Sequence, residues 1–184
     1  MDKPIFLQNS KVLKIFKEIE KSIPEKSQLF LVGGTLRNSV FYHFFKKTLP
    51  QRDYDLIFVG NRETFVDNLR SLNFRYGKIR RKNQTVLKRA IVEDPKDIND
   101  FVVLDINFSE KHDIYEILKN KINFTINGFA LNVKHIFNNN WIKKMIRLPH
   151  SMDDIKSRYL RLNTEKTNFF GRFKAAIFTS PKEN

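Results

Sequence analysis

The sequence predicts an α/β fold, a short sheet flanked by helices. Three observations predict it. Apolar runs of strand length, at residues 29–32, 56–59 and 101–108, alternate with stretches of helical periodicity. Two adjacent glycines, Gly33 and Gly34, stand where the first strand pattern gives way to a helical one. The second strand pattern carries a pair of carboxylates, Asp53 and Asp55, two residues apart. At 184 residues, 41% hydrophobic and with 18 Phe, the chain is long enough for one domain with a substantial core.

Each element follows from its own pattern. Residues 9–23 read as a helix: Asn9 or Ser10 can cap it, Val12, Phe16, Ile19 and Ile23 line one side, and Pro24 ends it. Residues 25–28 form a loop, and residues 29–32, LFLV, suit a buried strand. After the glycines, Leu36, Val40 and Phe44 recur four apart on one helix face; Lys46 and Lys47 suit its C-terminus, and Pro50 forbids continuation. A strand over residues 53–59 follows, ended by Gly60. A parallel pair joined by a right-handed crossover helix is the arrangement expected here, although periodicity does not set the pairing direction.

Residues 62–72 read as a helix with Phe65, Leu69 and Leu72 on one face, and residues 74–77 turn out of it. The basic run at 78–82, KIRRK, suits either a solvated hairpin edge or a contact to nucleic acid or triphosphate. Residues 85–92 and 101–108 are strands, separated by an acidic loop with a turn at Asp94-Pro95. Residues 113–120 form a short helix, and residues 121–131 are a loop feeding a last strand. Asn138, Asn139 and Asn140 make a turn, and Trp141-Ile142 suit a strand pairing back as a hairpin. Residues 169–178 are short and partly helical, and residues 180–184 should fray.

The layout carries chemistry. Adjacent glycines at a strand-to-helix junction leave amide N–H groups uncovered beside the positive end of a helix dipole, an anion site. Arg37, in the first turn, adds a cation suited to phosphate. Asp53 and Asp55 point to one face, their Cβ atoms roughly 6–7 Å apart. Such a pair suits hard divalent cations that also take substrate phosphates. Asp105 is a carboxylate inside an apolar run and needs a partner. It reads either as a strand-end residue paired with a lysine, or as a third metal ligand or general base beside Asp53 and Asp55. Phosphate cradle plus carboxylates is the equipment of phosphoryl or nucleotidyl transfer.

Composition narrows the classes. With no cysteine, disulfides and thiolate metal sites are excluded. The four histidines are scattered without zinc spacing, and hydrolase-elbow, P-loop and dinucleotide glycine motifs do not occur. No signal-peptide pattern opens the chain and no run approaches the ~20 apolar residues of a spanning helix, so a soluble cytoplasmic protein without membrane partners is expected. A net charge of +14 fits either solvated lysine or a polyanionic partner.

LVGGTLRN with RDYDL resembles the GG-x-[VL]-R-D … D-x-D signature of the class II tRNA nucleotidyltransferases (CCA-adding enzymes) and bacterial poly(A) polymerases, in the polymerase-β-like nucleotidyltransferase superfamily. KINFTINGFAL resembles their RRDFTINALAL; SMDDIKSRYLR and GRFKAAIF are similar to segments at the head-neck junction. The resemblance implies a head domain with a short mixed sheet over residues 1–147, and a remnant of the head-neck junction with a frayed C-terminus over 148–184. It implies two Mg²⁺ ions, an NTP substrate and transfer of a nucleoside monophosphate to an RNA 3′ end, in a tRNA or another RNA. Asp53, Asp55 and Asp105 would be catalytic, with Asp53 and Asp55 holding the metals. Gly33, Gly34, Arg37, Lys121, Thr125 and Asn127 would bind nucleotide, and Asp154 and Arg161 would help join head to neck.

Asn38 stands where the family has Asp, and Lys121, Ile122 and Asn123 stand where it has Arg-Arg-Asp. Asparagine keeps the shape and loses the charge. The nucleotide-choosing E-D-x-x-R segment has no match between Leu162 and Gly171, and the helical body and tail find no counterpart. A helper protein or oligomer is therefore expected in place of the body. A degenerate, non-catalytic head that binds RNA or a partner is the competing expectation.

Overall fold

The computed structural model describes residues 3–51, 53–72, 75–76, 84–90 and 101–163. The basic run at 78–82, the acidic loop at 93–100 and the patterns at 169–178 and 180–184 lie outside the described residues.

Asn9 caps the first helix, α1 (Ser10–Ser22), its side-chain oxygen accepting from the Lys11 and Val12 amides. Val12, Ile15, Phe16 and Ile19 are buried on one face, as the i, i+3, i+4, i+7 spacing dictates. Strand β1 (Gln28–Val32), helix α2 (Gly34–Phe45), strand β2 (Tyr54–Val59) and helix α3 (Arg62–Ser71) follow. Then come β3 (Arg75–Tyr76), β4 (Gln84–Ala90), β5 (Phe101–Ser109), α4 (Ile114–Lys121), β6 (Phe129–Asn132), α5 (Trp141–Lys144), β7 (Ile146–Arg147) and α6 (Ser151–Lys156). The strands make one mixed sheet in the order β3-β4-β5-β2-β1-β6-β7. Among the described strands, only β2 and β5 pair in parallel; the other neighbours are antiparallel.

Alternation along the central strands divides the apolar side chains between two faces. Leu29, Leu31, Leu56, Phe58, Leu104 and Ile106 meet α1, α2 and α3 in the larger core. Phe30, Val32, Ile57 and Val59 face α4 in a smaller one. Asp55 shares parity with Ile57, and Asp105 lies between Leu104 and Ile106, so both carboxylates project from the α4 side.

The expected parallel crossover between β1 and β2 is not made: the two strands are antiparallel neighbours, with Val32 opposite Asp55. The reason lies in the return path. α2 stops at Lys46 in the left-handed conformation, φ 53°. Residues 46–51 then run back along the helix. The Asn38 amide donates to the Pro50 carbonyl at 3.1 Å, and the Thr35 hydroxyl donates to the Asp53 carbonyl at 3.3 Å. The chain thus re-enters the sheet at the end where it left.

The expected hairpin strand at Trp141-Ile142 is a single helical turn, α5, and β7 is the strand that pairs with β6. Trp141 is 2% exposed, and the helical turn delivers its ring into the larger core. Residues 148–163 pack back onto the domain. Leu148 and Ile155 are buried, Phe124 bridges to Leu162, and the buried Asn163 amide donates to the Lys119 and Ile122 carbonyls at the end of α4. Among the described residues, no helix is long and apolar enough to cross a membrane.

Candidate active site

The site forms where β1 ends. Gly33 follows Val32 with φ 71° and ψ −137°, a conformation that costs an L side chain strain and glycine little. It also sits tight against a carboxylate: a Cβ at Gly33 would lie 3.2 Å from Asp55 Oδ2. The turn that exposes the amides at the start of α2 therefore lies beside the carboxylate of the neighbouring strand, with little room for a side chain between them. Gly34 opens α2, and the Arg37 guanidinium folds back toward it, with Nη2 3.5 Å from where a Cβ would stand.

Arg37 is held by amides. Its Nε and Nη2 donate to Asn38 Oδ1 at 3.2 and 3.0 Å, and its Nη1 donates to Asn127 Oδ1 at 3.0 Å. Burial lowers the pKa of this guanidinium. Among the described residues no carboxylate stands within ion-pair distance of it, so its charge is aimed but not neutralised. The structure thus joins Arg37 and Asn127, which are ninety positions apart in the chain.

Asp55 and Asp105 are register partners on the parallel strands β2 and β5, about 4.8 Å apart at the backbone with side chains on one face. Asp53 immediately precedes β2 and is exposed. Burial, then the charges of Asp53 and Asp105, push the Asp55 carboxyl up to about 6. Three negative groups therefore crowd one patch. Among the described residues, however, no three His, Cys, Asp or Glu side chains converge closely enough to hold an ion by themselves. Lys121, at the end of α4, feels the same patch: desolvation lowers its pKa and the charge of Asp105 opposes that. The residue as a whole is exposed, so it is the ammonium end that is partly desolvated.

Thr125 lies in a different network. It is buried, its hydroxyl donates to the Asp154 carboxylate, and its amide donates to the Arg161 carbonyl at 3.0 Å. Arg161 clasps the buried Asp154 carboxylate through Nε at 3.1 Å and Nη2 at 3.2 Å. Gly128 lets this segment close: a Cβ there would stand 2.7 Å from Ser151 Oγ and 2.9 Å from Leu148 Cβ.

Sequence reasoning missed three groups that position the site. Asn38 both orients Arg37 and pins residue 50, a double task that needs an amide, because a carboxylate cannot donate. Gln51 donates to the Thr35 hydroxyl at 2.6 Å and also to the Asp53 carbonyl, which fixes the backbone that carries Asp53. Thr35 closes that link. Asn38 carried a signal as a departure from the family pattern; Gln51 and Thr35 carried none.

No family model matches the chain, and no curated protein matches its sequence. Solved structures do match. A CCA-adding enzyme in an apo form superposes with a TM-score of 0.63 at 18% identity, covering 88% of this chain and 36% of that one. The Thermotoga maritima CCA-adding enzyme complexed with tRNA gives 0.62 at 18% identity, covering 88% and 36%. A CCA-adding enzyme in complex with ATP gives 0.62 at 20% identity, covering 88% and 37%. The fold is that of a nucleotidyltransferase head. The chain spans about a third of the length of those structures, 36% in the first.

Proposed function

We propose that this chain is a magnesium-dependent nucleotidyltransferase that moves a nucleoside monophosphate from a nucleoside triphosphate to the 3′ hydroxyl of an RNA, in the cytoplasm. One observation carries the reading. The glycine turn that offers amides to a phosphate lies beside the carboxylate best placed to share a cation, so close that a Cβ added at Gly33 would stand 3.2 Å from Asp55 Oδ2. Two solved structures of this fold hold CTP and ATP, and one holds tRNA, which supports the substrate classes.

The residues fit the cation. They offer only carboxylate oxygens, suited to a hard ion, and their mutual repulsion, seen at Asp55, is relieved by a divalent charge. Asp53 and Asp55 would hold two Mg²⁺ ions, with triphosphate oxygens completing the shells. Bound there, Mg²⁺ supplies neutralisation of the triphosphate and of the leaving pyrophosphate. The protein does the rest. The amides at Gly33 and Gly34 and the guanidinium of Arg37 seat the β- and γ-phosphates, and Asn38 and Asn127 hold Arg37 in line. Lys121 adds positive charge beside Asp105. Asp105 accepts the proton of the acceptor hydroxyl as its oxygen bonds to the α-phosphorus and the α–β bridging bond breaks.

The test is calorimetric titration of ATP, CTP, GTP and UTP, with Mg²⁺ and with EDTA, on wild type and Asp53→Ala. Metal-dependent binding that the variant loses is the expected result, followed by transfer of labelled nucleotide to RNA. Absence of binding to every triphosphate would sink the reading and return the chain to the non-catalytic alternative.

A further inference from the structure

A second surface adjoins Arg37 and is otherwise built from residues the chemistry above does not use. Arg37, Phe41 and Phe45 stand four apart on one face of α2, about 12 Å from first to last at the helical rise. α6 and the segment after it pack beside them. Between the two runs lies a cleft of about 290 Å³, lined by Arg37, Phe41, Leu49, Ile126, Tyr159 and Leu160 among others.

This surface carries aromatic and cationic side chains together. Lys156 lies over the Phe44 ring at 5.1 Å, Arg158 over Phe45 at 4.8 Å and Arg161 over Tyr159 at 5.5 Å. Several of these groups face water although apolar: Tyr159 is 57% exposed, Leu160 47% and Phe44 37%. The two segments that form it, 40–51 and 155–163, contain no Asp or Glu. Asp154 lines the cleft but is buried against Arg161 and Thr125.

We propose that this surface seats the single-stranded end of a nucleic acid, its bases on Tyr159 and Phe44 and its phosphates on Lys156 and Arg158. Base stacking on rings and guanidinium planes, interleaved with cations that follow the backbone, is how unpaired strands are held without sequence readout. A protein partner would bring carboxylates to the cations and would leave the stacking geometry unexplained. Arg37 is among the residues that line the cleft, so a strand on this surface can end beside the candidate active site. That last point rests on the nucleotidyltransferase reading; the binding itself does not.

The experiment measures affinity for fluorescent twelve-residue oligo(A), as RNA and as DNA, across a salt series. Wild type is compared with Tyr159→Ala, Tyr159→Phe, Phe44→Ala and Arg158→Gln, all at exposed positions, with thermal melts confirming the fold. The expected result is a roughly tenfold loss with Tyr159→Ala, near-complete rescue by Tyr159→Phe, and a salt slope shallower by about 0.7 for Arg158→Gln. The RNA and DNA arms tell which polynucleotide is preferred. If folded Tyr159→Ala, Phe44→Ala and Arg158→Gln all bind within twofold of wild type, the proposal is overturned, whatever protein the surface captures. Triphosphate binding, measured on the same variants, stays at wild type; its absence in wild type with oligomer loss intact would fail the enzymatic reading and leave this seat standing.

Discussion

Replacing Asp55 with asparagine should make the metal-free protein more stable, and only above acidic pH. The carboxyl is raised from 3.8 to about 6 by burial, then by Asp53 and Asp105. The sign follows from linkage. A group whose folded pKa lies above its unfolded value holds its proton more tightly when folded, so its contribution is fully present below pH 3.8 and is lost as pH rises through about 6. Displacement from 3.8 to about 6 corresponds to about 3 kcal/mol at full weight, since each tenfold is worth about 1.4 kcal/mol. The carboxylate is only partly buried, and solvent screening reduces the figure to about 1–2 kcal/mol.

Asparagine has the shape of aspartate and fits the same space beside Gly33 without the charge. The assay is thermal unfolding of wild type and Asp55→Asn in EDTA from pH 4 to 8. The melting temperatures should nearly coincide near pH 4, separate as pH rises, and stay apart above about pH 6.5, with the variant higher by about 4 °C at this chain length. Added Mg²⁺ should raise wild type and leave Asp55→Asn nearly unmoved. A gap independent of pH, or a variant less stable than wild type at pH 7.5, would refute the argument that like charges crowd Asp55.

Three further outcomes are expected. Gly33→Ala forces a side chain into φ 71° and against Asp55, so melts should show a loss of about 1–2 kcal/mol and calorimetry a loss of triphosphate binding. Asn38→Asp restores the family's residue but removes the donor to the Pro50 carbonyl; denaturant unfolding should show about 1–2 kcal/mol of destabilisation rather than a gain. Arg161→Ala leaves the buried Asp154 carboxylate with the Thr125 hydroxyl as its remaining side-chain donor among the described residues, and unfolding should register a loss of about 2 kcal/mol, largely recovered in the double variant with Asp154→Asn.

What the sequence determined by itself is local. Period-two and period-3.6 patterns are written within a few residues, so α1 with its Asn9 cap, the strand before Gly33, α3, and the strands at 54–59 and 101–109 were legible. The two glycines and the carboxylates Asp53 and Asp55 could be named as motif parts, because they lie within one short stretch of chain. The tertiary structure decided what depends on how the chain returns. Pro50 and Asp53 are held against α2 by Asn38 and Thr35, which makes β1 and β2 antiparallel and sets Asp55 beside Gly33. Parallel pairing of β2 with β5 brings Asp105 next to Asp55 across fifty positions of sequence. Trp141 is strand-like by composition but is drawn into a helical turn by the core it fills. Hydrogen bonds and charges act through space, and no periodicity along the chain encodes which distant residue will stand within 3 Å of another.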